Sequence, residues 1–360
     1  MGSNDRPTGP FQVTLGHGRR PRAMRTLWVI VVTKENVMRI LLAHDGSASS
    51  DAACRLVDSL DWPGGSVITL VAIVEPVLDI DVSATAVMPG WSDDVELAER
   101  AEFDRVLDQA AANLSKPGRI VKRSVFEGRA ASVIVDVAIE GRAELIVVGS
   151  RGLGPLKSMV LGSVSAEVVD HAPCPVLVVR RPSVGSVLLA VDGSASGHGA
   201  VRFLGACGFL ADRPVEVLAV APATSKLPPY SLAGITDDAF QADVAAAIEE
   251  REATEVFAAN AVESLRADGI RARWSISRGN AAHEILDAAE TFGSDLIVMG
   301  SRGRTGLTRL FLGSVARNVL QHAAASVLIV REPVRVRVPK RATVRAATPA
   351  VPPVAAGSAR

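Results

Sequence analysis

The sequence predicts an α/β protein built from two tandem doubly wound domains, each a five-stranded parallel sheet flanked by helices. Three observations predict it. Short apolar, β-branched segments alternate with longer segments of helical spacing, and such alternation gives parallel sheets joined by right-handed crossovers. The same order of segments occurs twice. Residues 149–180 and 300–331 align without gaps at 16 identities in 32 positions, too many for chance likeness between two helices.

In the first copy, Arg39–Ala43 is a short strand that ends at His44-Asp45-Gly46-Ser47, and Ala48–Leu60 suits a helix. Val67–Val74 is the second strand, and Glu75–Ser92 is irregular, broken by Pro76, Pro89 and Gly90. Asp93–Leu114 carries Val95, Ala98, Phe103, Val106, Leu107 and Ala110 at helical spacing and stops before Lys116-Pro117-Gly118. Ile120–Phe126 is the third strand, Ala130–Ile139 a helix, Leu145–Gly149 the fourth strand, Val164–His171 a helix and Val176–Val179 the fifth strand.

The second copy repeats this with Val187–Val191, Val215–Val220, a long helix Asp238–Asp268, Arg271–Ser277, Ala281–Thr291, Leu296–Gly300, Val315–His322 and Val327–Val330. The expected domains are residues 38–181 and 186–332, joined by a linker near Arg181–Gly185. Residues 1–37, rich in Gly, Pro and Arg, read as a flexible extension. Residues 333–360, rich in Pro, Ala, Val and Arg, read as a disordered basic tail.

Composition narrows the function. Of 360 residues, 48% are hydrophobic and 22% charged, enough for a sizeable core. Lys+Arg and Asp+Glu both number 39, so no global basic field points to nucleic acid or an anionic membrane. Cys54, Cys174 and Cys207 are widely spaced without a CxxC, which fits inert thiols in a reducing compartment rather than disulfides or zinc. The early apolar run Leu27–Val32 is far short of the ~20 residues that span a bilayer. It follows a basic lead without a small-residue cleavage site, so a cytoplasmic location is expected.

The chemistry gathers at a loop present in both copies. Gly149-x2-Gly152-x9-Gly162-Ser163 follows the fourth strand, and Gly300-x2-Gly303-x9-Gly313-Ser314 follows its counterpart. Glycines let a backbone approach a phosphate closely, and a helix start offers free N–H groups to an anion. In an open α/β sheet, ligands bind where the strand order reverses. With order 3-2-1-4-5 that point lies between strands 1 and 4, so Asp45 faces the first loop and Asp192 the second. A carboxylate accepts hydrogen bonds from ribose hydroxyls or an adenine amino group, while Gly152, Gly162 and Ser163 suit phosphates, with Ser163 expected as a helix cap. Ser150-Arg151 and Ser301-Arg302 follow the strands directly, and the arginines are within reach of phosphate. A P-loop is excluded because Pro155 follows Gly154 and the second loop has no lysine. A dinucleotide fingerprint would follow the first strand, not the fourth.

These residues resemble the universal stress protein family over about Met38–Arg331. The carriers are the strand-end Asp-Gly-Ser, the Gly-x2-Gly-x9-Gly-Ser loop, and His171-Ala-Pro-Cys-Pro-Val-Leu-Val-Val before the last strand. The resemblance implies the adenine nucleotide alpha hydrolase-like sheet order and ATP binding; Mg²⁺ could accompany the ATP, held mostly by phosphate oxygens and water, since the sequence shows no dedicated metal cage. By position it puts Asp45 and Asp192 at the ribose and base, beside Ala43 and Ala190, and Ile73 and Val220 at adenine. It puts Gly149, Gly152, Gly162, Ser163 and Val164 along ribose and phosphates, matched by Gly300, Gly303, Gly313, Ser314 and Val315, with Gly128 and Gly279 near the site. It also implies dimerisation through the last strand, here an intramolecular pseudo-dimer of Val176–Val179 with Val327–Val330 that hides two strand edges; a homodimer beyond that stays open. The second copy departs at His322-Ala-Ala-Ala-Ser.

The expected function is a cytoplasmic, ATP-binding sensor or regulator with two sites, acting on a protein partner and not on nucleic acid or membrane. The alternatives are a slow ATPase or phosphotransfer enzyme and a nucleotide-free scaffold. No Ser-His-Asp spacing, HExxH or carboxylate pair recurs at the strand ends. His44 has Val191 as its counterpart, and His171 and His322 end helices, where a cation suits the helix dipole.

Overall fold

The computed structural model describes residues 37–75, 91–152, 161–221, 237–303 and 312–331. The expected extension up to residue 36, most of the irregular segment after Glu75, the interior of both glycine loops and the expected tail lie outside the described residues.

In the first half β1 (Arg39–Ala43), α1 (Ala48–Ser59), β2 (Val67–Val74), α2 (Trp91–Leu114), β3 (Ile120–Glu127), α3 (Ala130–Glu140), β4 (Leu145–Gly149), α4 (Ser163–His171) and β5 (Val176–Val179) follow in order. The second half has β6 (Val187–Val191), α5 (Ala195–Ala206), a 3-10 turn at Gly208–Leu210, β7 (Val215–Ala221), α6 (Asp237–Ala267), β8 (Ala272–Arg278), α7 (Ala281–Thr291), β9 (Leu296–Gly300), α8 (Ser314–His322) and β10 (Ser326–Val330). The shifts from expectation are one or two residues at element ends, where hydrogen bonding and apolar pattern diverge.

Each half has the order 3-2-1-4-5, and the two half-sheets join through their last strands into one sheet of ten strands, β3-β2-β1-β4-β5-β10-β9-β6-β7-β8. Within the halves all pairs are parallel; β5 and β10 pair antiparallel, with Val178 opposite Val327 and Val176 opposite Ile329. The central strands are buried on both faces, which explains their unbroken apolar runs. Leu42 and Leu189 point to the face covered by Leu56, Leu107, Leu204 and Leu265. Leu41 and Leu188 point to the face covered by Ile134, Val168, Ile285 and Val319.

The seam is closed on all three layers. On one face Trp62, whose indole N–H donates to Val57 O at 2.6 Å, packs on Phe209 of the second half with ring centroids 4.2 Å apart and planes tilted by 40°. In the sheet, Ser326 Oγ accepts the backbone N–H groups of Arg180 and Arg181, each at 3.1 Å. On the other face Arg317 of α8 donates to both carboxylate oxygens of Asp170 on α4, at 2.9 and 3.2 Å.

Ser326 is fully buried, and its counterpart in the first half is Pro175, so this double bond occurs once. Ser326→Ala should lose about 1–3 kcal/mol of stability in urea unfolding, because two N–H donors lose their acceptor. A loss under about 0.5 kcal/mol would show that the seam does not use it.

Candidate functional site

The site in each half is built where the first and fourth strands end side by side. β1 pairs with β4 through Ile40–Leu145 to Leu42–Val147, and β6 pairs with β9 in the same way. Beyond β1, Asp45 Oδ1 accepts the Ser47 N–H at 3.0 Å and Gly46 takes φ +78°. This tight turn makes Ser47 the N-cap of α1, its hydroxyl accepting from Ser50 N–H at 3.2 Å. The turn leaves Asp45 Oδ2 facing the glycine loop so closely that a Cβ on Gly152 would lie 2.7 Å from it. The second half repeats each part. Asp192 Oδ1 accepts Ser194 N–H at 3.0 Å, Ser194 caps α5 by accepting from Gly197 N–H at 3.0 Å, and a Cβ on Gly303 would lie 2.9 Å from Asp192 Oδ2.

The loop is tied down from the helix that follows the aspartate. Arg151 N–H donates to Ser49 Oγ at 3.2 Å, and Arg151 O accepts the hydroxyls of Ser49 and Ser47. In the second half Arg302 N–H donates to Ser196 Oγ at 3.3 Å, and Arg302 O accepts from Ser196 and Ser194. Sequence reasoning missed Ser49 and Ser196. Their signal was present, since Asp-Gly-Ser-Ala-Ser occurs at both 45–49 and 192–196.

At the far end, Gly162 N–H donates to Ser150 O at 2.9 Å and Gly313 N–H to Ser301 O at 2.8 Å. Here one expectation is corrected: Ser163 is the first residue of α4, and the N-cap is Gly162, which has no side chain to bond the first turn. Closing the loop back onto Ser150 fixes the cap one residue early. The first-turn N–H groups of α4 and α8 thus have no side-chain cap, the arrangement in which a helix start receives an anion.

These halves match a family model, described as the universal stress protein family, over residues 36–180 and 184–331. The chain belongs to the universal stress protein family. A universal stress protein of Mycolicibacterium smegmatis is 28% identical over 301 residues, spanning 81% of this chain and 96% of that protein. One from Thermus aquaticus is 36% identical over 142 residues, 39% of this chain and 97% of its own, so it corresponds to a single half. The crystal structure of a universal stress protein from Archaeoglobus fulgidus superposes with TM-score 0.56 at 19% identity, covering 83% of this chain and 99% of that one; this likeness is one of fold.

Within this universal stress protein fold, Ala43, Asp45, Ile73, Gly149, Arg151, Gly152, Gly162, Ser163 and Val164 line one cleft of about 620 Å³. Ala190, Asp192, Val220, Gly300, Arg302, Gly303, Gly313, Ser314 and Val315 line its counterpart of about 320 Å³. Ser150, Ser301, Gly128 and Gly279 do not line these clefts. Ser150 and Ser301 donate their N–H groups to Val179 O and Val330 O. Gly128 and Gly279 take φ +133° and +155°, and their N–H groups bond Val74 O and Ala221 O, each at 3.0 Å. The apolar walls, unforeseen in the sequence, come from Ile134 and Leu161 in the first cleft and from Ile285 and Leu312 in the second.

Cys54, Cys174 and Cys207 are free and buried, and burial pushes the thiols of Cys54 and Cys174 up to about 12. His171 and His322 each bond a carbonyl four residues back, at 2.9 Å. His44 is buried at the edge of the first cleft. Its Nδ1 accepts Gly46 N–H at 3.1 Å, and its Nε2 lies 3.3 Å from Asp51 Oδ1. Burial lowers its pKa from the ordinary 6.5, against the opposing pull of Asp51 and Asp45. With the folded pKa depressed, the unfolded chain binds more protons below 6.5, so stability falls as pH drops through that value. Thermal melts at about pH 7.5 and 5.5 should therefore show a smaller acid loss in His44→Val, which installs the residue of the second half, than in the wild type. An equal loss in both would remove His44 as a source of acid sensitivity.

Proposed function

We propose that the protein is an ATP-binding regulator in the stress response, holding one adenine nucleotide in each cleft. The observation that carries this reading is the duplicated cradle in which an aspartate oxygen faces a glycine so closely that no side chain fits between them. With Oδ1 of Asp45 committed to the Ser47 N–H, Oδ2 is the atom available to accept from ribose hydroxyls. Ile73, Ile134 and Leu161 suit the apolar faces of a base, and both clefts fall within the usual range of small-ligand pockets. The first turn of α4, capped by a glycine, suits phosphate. Mg²⁺ would travel with the nucleotide, held mainly by phosphate oxygens and water. The reading assigns these residues to binding. Nucleotide binding biases association with a protein partner or a second copy, in a cytoplasm that keeps the three thiols reduced.

Denaturing the purified protein and assaying the supernatant should release ATP, ADP or AMP, and calorimetry on stripped protein should show adenine nucleotide binding. Asp45→Ala and Asp192→Ala should each weaken binding in their own half by about tenfold to a hundredfold, the worth of a hydrogen bond to a charged acceptor. Gly152→Ala and Gly303→Ala should do the same by pushing the carboxylate aside. Stripped wild-type protein that binds no adenine nucleotide would refute the reading.

A further inference from the structure

Each half ends its last strand in an arginine that the cleft walls do not include. Arg180 follows β5 and Arg331 follows β10. Ser150 N–H bonds Val179 O and Ser301 N–H bonds Val330 O, both at 2.9 Å. Residue 151 therefore lies beside 180, and 302 beside 331, with Arg151 and Arg302 on the cleft walls. The crossover helix α4 runs antiparallel to β5, so its uncapped first turn stands at this same strand end, and α8 stands likewise at the end of β10.

Both guanidinium groups are anchored from the opposite half. Arg180 Nη2 donates to Leu320 O at the end of α8, and Arg331 Nη2 donates to Asp170 O at the end of α4, at 2.7 Å. Each also keeps a buried nitrogen with no acceptor among the described residues, Nη1 in Arg180 and Nε in Arg331. Arg331 is only 7% exposed. The Asp170 carboxylate beside it is already bonded to Arg317 at 2.9 and 3.2 Å. Burial, then the neighbouring Arg151, lowers the Arg180 pKa to about 10, so the group stays charged at neutral pH. Burial also lowers Arg331, with Arg302 adding to the effect and Asp170 opposing it.

A buried guanidinium nitrogen without an acceptor is unfavourable, the more so where the neighbouring carboxylate is shared with another arginine, as Asp170 is with Arg317, and a planar guanidinium is well matched to phosphate. We propose that Arg180 and Arg331 are specificity-determining residues for the phosphate tail, each drawing the outer phosphates of the nucleotide in its own half while anchored by the other half. The proposal rests on the nucleotide reading above. Affinity then rises with phosphate number, and each site is complete only when the seam is closed.

The test is calorimetric titration of the full chain with AMP, ADP, ATP and inorganic tripolyphosphate. Wild-type protein should prefer ATP to AMP by about tenfold or more, the scale of one charge-assisted bond. The pair Arg180→Gln and Arg331→Gln should lose about tenfold toward ATP and tripolyphosphate, while AMP binding holds within about twofold. Arg180→Lys with Arg331→Lys, which keeps the charge, should recover part of the ATP preference. Equal losses toward AMP and ATP, or no loss at all, would overturn the proposal. Should the Gln pair fail to fold, the wild type decides: AMP and ATP bound equally tightly overturns the proposal without any variant. A wild type that binds no adenine nucleotide removes the nucleotide reading itself, whereas adenine binding without phosphate discrimination removes only the role of these arginines.

Discussion

The close approach of the fourth strand to the first turn of the first helix is the constraint on which both sites depend. A Cβ on Gly149 would lie 2.8 Å from Ser49 C and 2.9 Å from Ser50 N, distances at which backbone would have to move. In the second half Gly300 would meet Ser196 C at 2.6 Å and Gly197 N at 2.8 Å. Only glycine allows this contact, and the contact brings the loop backbone within reach of the Ser49 and Ser196 hydroxyls. Once Arg151 and Arg302 are held there, the next glycine must pass the aspartate. The cradle follows from packing between a strand and a helix, before any ligand is considered.

The seam extends the same economy to the whole sheet. Pairing β5 with β10 satisfies two edges that would otherwise template association, and it leaves β3 and β8 as the outer strands. Both outer strands carry charge. Arg123 on β3 is engaged by Asp104 and Asp108 of α2 at 2.8 and 2.6 Å, and Arg273 on β8 is bonded to Glu216 of β7. Charged side chains on an edge disfavour further strand addition. Because the seam pairing is antiparallel, the carboxyl ends of the two half-sheets, and therefore the two clefts, lie at opposite ends of the strands. α4 and α8 each begin at one cleft and end against an arginine of the other half.

Much of this was legible because the chain states it twice. The strand order was readable because an aspartate after strand 1 and a glycine loop after strand 4 meet only if those strands are neighbours. The burial of both faces was readable from unbroken runs such as Leu145–Gly149. The joining of the halves through their last strands came from the family resemblance and not from the runs themselves, because the register of Val327 on Val178 depends on shape at the edges, which apolar runs do not encode. Ser49 and Ser196 escaped notice because serine in a first helical turn ordinarily reads as part of a cap. Ser163 was misread as a cap because glycine at the true N-cap leaves no side-chain signal. Gly128 and Gly279 show another limit: a glycine required by positive φ looks in sequence like one required by a ligand.

The two clefts share a cradle but differ in their walls, and the differences have physical causes. Val148 at the end of β4 is replaced by the longer Met299 at the end of β9, each lining its own cleft. Ser165, whose hydroxyl bonds Gly149 O at 2.7 Å, is replaced by Ala316. The helix α7 is capped by its own Asn280, which accepts from Ala282 and His283 at 3.1 and 3.2 Å. α3 has Arg129 in that place, without a capping bond, and borrows Glu75, whose carboxylate accepts Ala130 N–H at 2.8 Å. That borrowed cap puts a negative charge on the wall of the first cleft, where Glu99 adds another. Among the described residues the halves differ in these walls, whereas the backbone turns, serine ties and aspartate–glycine contacts are the same in both.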